Sequence, residues 1–262
     1  MTSSKKLSKE KPEQNLKKTL KSPSSQKPKT TEKNPNKTLK TEQKKPRHLD
    51  KITIPRYSKG EEILSSITHG IGAGLSIAGL VLLVLKAKTP NAVVSVALYA
   101  SIMIVLFTIS CIYHALSPNL SRGKKVLRII DHINVILMVA GTYLPICLSL
   151  LYGELGWIIF GLVWGVTLPA VVLNAINVDK YQVVSTFHSL LLGWGSLFLL
   201  NPLRAVCPVE GIWLLIGGGV AYTVGSILYG IGSAKKWFHS IFHFFVVLGA
   251  LLHFFFIYFY CI

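Results

Sequence analysis

Residues 92–114 read AVVSVALYASIMIVLFTISCIYH, a run of 23 residues without Lys, Arg, Asp or Glu. An α-helix needs about 20 consecutive apolar residues to cross the ~30 Å hydrocarbon core of a bilayer. The run therefore predicts a membrane-spanning helix. Two polar side chains near its end, Ser110 and His114, are costly inside lipid, and this makes them candidates for a functional site.

Six other stretches share this composition and are separated by short turns that contain Pro, Gly, Asn or charged residues. The predicted spans are residues 66–86, 92–114, 128–151, 155–175, 183–201, 211–231 and 237–260. The buried helices of a water-soluble protein would need polar outer faces, which these stretches lack. The sequence therefore predicts an all-α protein, with a seven-helix transmembrane domain over residues 57–262.

The N-terminal 50 residues have a different composition. They contain 15 Lys or Arg against five Asp or Glu and no Trp, Tyr or Phe. Such a segment cannot bury enough apolar surface to fold alone, so residues 1–56 are predicted to be a disordered Lys/Pro-rich tail. The tail is expected either to be solvated in the cytosol or to have anionic lipid headgroups as its partner. Nucleic acid is not expected, because the tail has no aromatic side chains for stacking on bases and is tethered to a membrane.

The charges of the predicted connections indicate an orientation. Lys and Arg side chains are concentrated in the tail and in the second, fourth and sixth connections. These three connections together carry Arg122, Lys124, Lys125, Arg128, Lys180, Lys235 and Lys236, whereas the first, third and fifth together carry Lys86, Lys88 and Arg204. Positive residues favour the cytosolic side of a membrane. We therefore expect a cytosolic N-terminus, an external C-terminus and a multi-pass integral protein of the cell membrane.

This topology places four polar residues at one membrane depth, on the cytosolic side: His114, Asp131, His239 and His243. His239 and His243 are four residues apart, which stacks both imidazoles on one helix face. Three neutral imidazoles from two helices would leave a fourth position for water, which is the donor set of a catalytic zinc site. The alternatives for such a cluster are a proton relay and a hydrogen-bond network between helices.

The motifs that carry these residues resemble a known family. They are EEILSSITHG at 61–70, Ser110-x3-His114, Asp131, and WFHSIFH at 237–243. In order and spacing they resemble the hemolysin III branch of the progestin and adipoQ receptor family. That family is grouped with alkaline ceramidases among membrane hydrolases. One departure is Ser65-Ser66, where the family would have Asn.

The resemblance implies that His114, His239 and His243 hold Zn²⁺. It also implies that Asp131 contacts the metal through water and that Ser110 lies beside it. The implied function is zinc-dependent hydrolysis of ceramide-like lipid amides, with a membrane lipid as substrate and with Asp131 and Ser110 as catalytic residues. A receptor or sensor stabilised by zinc and a membrane-permeabilising cytolysin are the alternatives.

Four other histidines receive weaker assignments. His69 and His188 lie near the same end of their helices and would either orient a ligand or form interior hydrogen bonds. His132 follows Asp131 and points about 100° away from it. His253 lies about 15 Å further along its helix than His243, too deep to join the same metal.

Overall fold

The computed structural model describes residues 48–117 and 119–262, which are helical over most of their length and contain no β-strand. Seven helices in this part of the chain are long and apolar enough to cross a membrane. They are α1 (Lys59–Lys86), α2 (Pro90–Ala115), α3 (Ser121–Leu150), α4 (Glu154–Ile176), α5 (Val178–Val206), α6 (Val209–Gly232) and α7 (Phe238–Cys261). The predicted all-α, seven-span architecture is confirmed, whereas the orientation of the termini stays a prediction.

Local sequence signals start several of these helices. Ser58 and Glu61 form a capping box at the start of α1, in which each side chain bonds the backbone of the other residue. Thr89 caps α2, and Pro90 follows at the first helical position, where its missing N–H is not needed. Asn177 caps α5 by accepting a hydrogen bond from the backbone of Lys180.

Consecutive helices pack side by side from α1 to α5, and α7 packs against both α6 and α1. The most buried helix is α3, whereas α5 is the least buried of the seven. The starts of α1, α3 and α7 meet the end of α2 at one end of the bundle, joined by contacts among Glu61, Glu62, His114, Lys124 and Trp237. We call this the histidine end.

Two helices begin seven residues earlier than predicted. The apolar runs suggested starts at residues 66 and 128, but α1 begins at Lys59 and α3 at Ser121. Lys124 and Arg128 were assigned to a connection or its edge from their charge, yet both are buried inside α3. A search for apolar runs ends at the first charged residue. It does not detect that an acidic residue of another helix neutralises that charge inside the bundle.

The predicted disordered tail, residues 1–56, lies mostly outside the described residues, and its disorder and its attraction to headgroups stay predictions. Residues 48–56 do belong to the described part. A 3₁₀ turn covers His48–Lys51, and the Ile52 side chain that follows is buried. Lys125 Nζ donates a hydrogen bond to the Leu49 carbonyl, 2.8 Å away.

Gly218 on α6 gives a test of helix packing. A Cβ added there would lie 2.2 Å from the His253 ring of α7, whereas one added to Gly74 on α1 would meet no atom within 4 Å. We expect Gly218→Ala to destabilise the bundle by ~1–3 kcal/mol because α6 must move away from α7. Gly74→Ala is the control and should leave stability unchanged or raise it slightly, since Ala favours the helix more than Gly does. Thermal unfolding in detergent measures both; equal melting temperatures would contradict the described α6–α7 contact.

Candidate metal centre

Three buried histidines converge at the histidine end of the bundle. His114 lies in the last turn of α2, and His239 and His243 lie one turn apart at the start of α7. Each offers a ring nitrogen that lies within 4.8 Å of the others. The side chains are only 3%, 6% and 2% exposed. The three residues proposed from sequence are thus brought together, in an arrangement that could hold a metal ion.

The hydrogen bonds of the rings indicate which nitrogens face this centre. His114 Nδ1 lies 2.6 Å from a Glu62 carboxylate oxygen, and His243 Nδ1 lies 2.8 Å from His69 Nε2. The opposite nitrogen of His114, Nε2, is buried without a hydrogen bond to any described residue. The Nε2 atoms of His239 and His243 are 3.1 Å apart.

This geometry fits a small tetrahedral cation. Nitrogens bound to zinc at ~2.0–2.1 Å are separated by ~3.3–3.4 Å in a tetrahedral site, close to the His239–His243 separation. Three neutral imidazoles also suit zinc among the divalent metals. A buried nitrogen without a partner, as in His114, is unfavourable in a membrane protein unless something binds there. The residues present therefore fit a metal, although their role as ligands stays a prediction.

Glu62 links the centre to a buried lysine. Its second carboxylate oxygen lies 2.6 Å from Lys124 Nζ, and Lys124 is 1% exposed. The ammonium also donates to the Leu116 carbonyl at 3.0 Å. A carboxylate on Nδ1 of an imidazole holds the proton there and leaves Nε2 free as a ligand. Glu62 therefore orients His114 and selects its tautomer.

His69 makes the corresponding contact with His243. The two rings meet edge to face, with centroids 4.1 Å apart. The sequence left His69 between orienting a ligand and an interior hydrogen bond; its contact with His243 gives the interior hydrogen bond, and the orienting role stays a prediction. Glu62 and His69 are seven residues apart, about two helical turns, so they share a face of α1. That spacing is the sequence signal that could have linked both to the site.

Asp131 and Ser110, predicted as catalytic residues, lie beside the histidines. The Asp131 carboxyl is close enough to His114 and Ser110 to interact electrostatically with both. Ser110 is 1% exposed, and its hydroxyl oxygen makes no geometrically satisfactory hydrogen bond within the described part of the chain. A buried hydroxyl in this state is available to a ligand.

Tyr57 was not recognised from sequence. It precedes α1, and its ring stacks on His239 with centroids 4.3 Å apart and an interplanar angle of 12°. Burial, reinforced by the nearby Tyr229, raises the pKa of Tyr57, so its phenol stays protonated at neutral pH. Since Tyr57 lies outside the apolar runs, no periodicity marks it.

A cavity of about 90 Å³ opens beside this cluster. Asp131, His239 and His243 line it together with Tyr57, Arg128 and Gln182. A second cavity of about 90 Å³ lies between α3, α5, α6 and α7 and has mainly apolar walls. Both cavities contact Val135, Ser189, Ser226 and Phe242, so they adjoin within the bundle.

The remaining histidines do not join the cluster. His253 Nε2 lies 3.1 Å from the Leu215 carbonyl, and His253 lines the second cavity. His132 lines the first cavity beside Tyr229. Neither ring nitrogen of His188 has a hydrogen bond within the described residues, and the structure brings no ligand-orienting contact to it.

A comparison with protein families matches residues 57–254 to the family described as Haemolysin-III related. The chain belongs to this family. The resemblance identified from the motifs is thereby confirmed, and together with the seven apolar helices it makes the chain a multi-pass integral protein of the cell membrane.

Named relatives of this haemolysin-III related protein come from bacteria and animals. The "Hemolysin-3 homolog" of Bacillus subtilis (strain 168) is 36% identical over 205 residues, which cover 77% of this chain and 95% of the relative. The "Hemolysin-3" of Bacillus cereus is 33% identical over 214 residues, or 80% and 96% of the two chains. The human "Monocyte to macrophage differentiation factor" is 23% identical over 165 residues, covering 60% and 66%.

The contact of Glu62 with His114 predicts the effect of Glu62→Gln. The variant keeps the side-chain shape but loses the charge that holds the Nδ1 proton, so metal affinity should fall ~10–100-fold. Lys124→Met leaves the contact with His114 in place and should lower affinity less. Competition with a zinc chelator measures both affinities. Wild-type affinity in Glu62→Gln would show that Glu62 does not orient a ligand.

Proposed function

We propose that this haemolysin-III related protein is a zinc-dependent hydrolase of ceramide-like lipid amides. The observation that carries the proposal is the convergence of three buried imidazoles, with His114 Nε2 free, beside a carboxyl group and a cavity that adjoins an apolar one. A hydrogen-bond network with a purely structural role would not need an unpaired His114 Nε2 or an adjoining cavity. His114, His239 and His243 are the proposed zinc ligands.

The chemistry divides between the metal and the chain. A zinc ion held by these imidazoles would supply Lewis acidity for a carbonyl group and would favour deprotonation of water at neutral pH. In this proposal Asp131, which lies near His114, accepts a proton from the attacking water and passes it to the leaving amine. In this proposal the buried Ser110 hydroxyl, beside Asp131, donates a hydrogen bond to the carbonyl oxygen as negative charge develops.

The environment supports a lipid as substrate. The first cavity carries the polar side chains, whereas the second is lined largely by Leu, Val, Ile, Met and aromatic residues deeper in the bundle. An amide carbonyl near the headgroup level would lie beside the histidines, and an acyl chain would extend between α3, α5 and α6. The low burial of α5 leaves this side of the bundle open to lipid.

The metal is tested by mass spectrometry of the purified protein. Wild type should carry about one zinc per chain, and the double variant His239→Ala, His243→Ala should lose it because only one imidazole would remain. His253→Ala removes a histidine of the same helix that lies outside the cluster, and it should keep the metal. A well-folded wild-type protein without zinc would contradict the proposal.

The catalytic roles are tested by turnover of ceramides and other lipid amides in detergent micelles. Asp131→Asn should keep the zinc but lose ~10²–10⁴-fold in rate, since the proton acceptor is removed. Ser110→Ala should lose ~10²–10³-fold. Ser66→Ala, which removes a hydroxyl bonded to the Cys111 carbonyl, is the matched control.

A different outcome would point to membrane lysis, the activity that the names of the Bacillus relatives suggest. Wild-type protein that binds zinc, consumes no lipid amide and makes liposomes leak would favour a cytolysin, particularly if leakage survives His239→Ala. Zinc-dependent melting without turnover or leakage would favour a receptor or sensor.

A further inference from the structure

Residues 52–57 have no regular secondary structure and connect the 3₁₀ turn His48–Lys51 to the cap of α1 at the histidine end. Ile52 is their one fully buried side chain, with an exposed fraction of 2%. Arg56 and the Thr53 side chain are exposed. The segment therefore lies at the boundary between the bundle and water, and most of its residues are at least partly exposed.

Asp179, in the first turn of α5, holds the start of this segment. One carboxylate oxygen accepts hydrogen bonds from the Thr53 backbone N–H at 2.7 Å and from the Thr53 hydroxyl at 3.0 Å. The other oxygen pairs with the Arg128 guanidinium of α3. Arg128 is 3% exposed, and a charge this buried requires its partner.

The same network reaches a third helix. Arg128 donates a second hydrogen bond to the Gln182 side-chain oxygen at 3.3 Å, and the Tyr229 hydroxyl donates to that oxygen at 3.3 Å. The network thereby connects the Thr53–Asp179 contact to α3, α5 and α6, three of the helices that line the cavity. The position of the Thr53–Asp179 contact therefore depends on the packing of these helices and not on one side chain alone.

The end of the segment forms a wall of the cavity. Pro55 and Tyr57 line it, and within the described part of the chain they are the two lining residues outside the seven helices. Tyr57 also covers one face of the His239 ring. Displacement of residues 52–57 would uncover the cavity and His239 without separating any pair of membrane helices.

We propose that residues 52–57 are a strap that closes the histidine end of the cavity, latched by the contact between Thr53 and Asp179. Helices packed over many buried side chains separate only at high cost, whereas a segment with one fully buried side chain opens locally. Strap opening is the route between the cavity and water. What passes along it rests on the proposed function: water enters, and the polar part of the cleaved lipid leaves.

Two variants weaken the latch in different ways. Asp179→Asn removes the charge that accepts both Thr53 hydrogen bonds, and Thr53→Pro removes the backbone donor without touching Arg128. Glu154→Gln is the matched control. Glu154 is also an acid in the first turn of a helix, α4, but it is exposed and remote from the strap, so the loss of charge near a helix N-terminus is the same.

Hydrogen exchange tests the latch, with the full chain in lipid nanodiscs. Peptides covering residues 49–60 should exchange about tenfold faster or more in Asp179→Asn and Thr53→Pro, since a charge-assisted hydrogen bond is lost. Exchange in Glu154→Gln should match wild type. Unchanged exchange in Thr53→Pro would overturn the proposal, because that variant leaves the buried Arg128–Asp179 pair intact.

Access to the cavity is measured by the labelling of Ser226→Cys, whose side chain lines both cavities. A charged thiol reagent reaches this position only from water. Its labelling rate should rise about tenfold in the latch variants, after subtraction of the labelling of the four native cysteines. Faster exchange without faster labelling would overturn the gating role. Neither readout needs zinc or turnover, so failure of the strap is distinguishable from failure of the hydrolase.

Discussion

The Glu62 carboxylate lies between His114 Nδ1 and Lys124 Nζ, 2.6 Å from each, inside the histidine end of the bundle. Charges and imidazoles are unfavourable in hydrocarbon, so each of them has to find a partner within the protein. This requirement ties α1 to the end of α2 and to the start of α3. His69 and Ser65 extend the same arrangement from α1 to His243 and Ser240 of α7.

The need to pair charged and polar groups within the protein also explains why such groups are unevenly distributed in the bundle. Outward-facing positions on α1, α4 and α5 are occupied by exposed Leu, Ile, Val and Phe side chains, which suits lipid contact. The ion pairs and the three-histidine cluster are concentrated at the histidine end. Hydroxyl groups deeper in the bundle mostly bond the carbonyl one turn earlier, as Ser76, Thr142 and Thr167 do. Some of the buried polar groups without such partners border the cluster or the cavities, among them Ser110, Ser189 and Tyr222.

Much of this could be predicted from sequence. Apolar length was sufficient for the seven spans, and helical spacing was sufficient to pair His239 with His243. The predicted topology brought His114 and Asp131 to the same membrane depth, and the family motifs added Ser110 to the site. These signals succeed because each is local in sequence or follows from the topology. Consecutive spans cross the membrane in opposite directions, so the end of one helix and the start of the next lie on the same side of the membrane.

The contacts that hold the site could not be predicted in this way. Lys124 and Arg128 were read as charges of a connection, since nothing in a single sequence shows that Glu62 and Asp179 meet them inside the bundle. Tyr57 was missed because it lies in a segment without regular secondary structure or hydrophobic periodicity. Pairings between residues more than 50 positions apart depend on three-dimensional packing, which composition and spacing do not encode.

X-ray absorption spectroscopy at the zinc edge is the decisive measurement for this account. Purified wild-type protein should show nitrogen or oxygen scatterers at ~2.0–2.1 Å together with the outer-shell pattern of about three imidazoles. The imidazole signal should fall by about one ring in His114→Ala and stay unchanged in His253→Ala. Sulfur scatterers at ~2.3 Å, or an imidazole count insensitive to His114, would contradict a metal centre built from His114, His239 and His243.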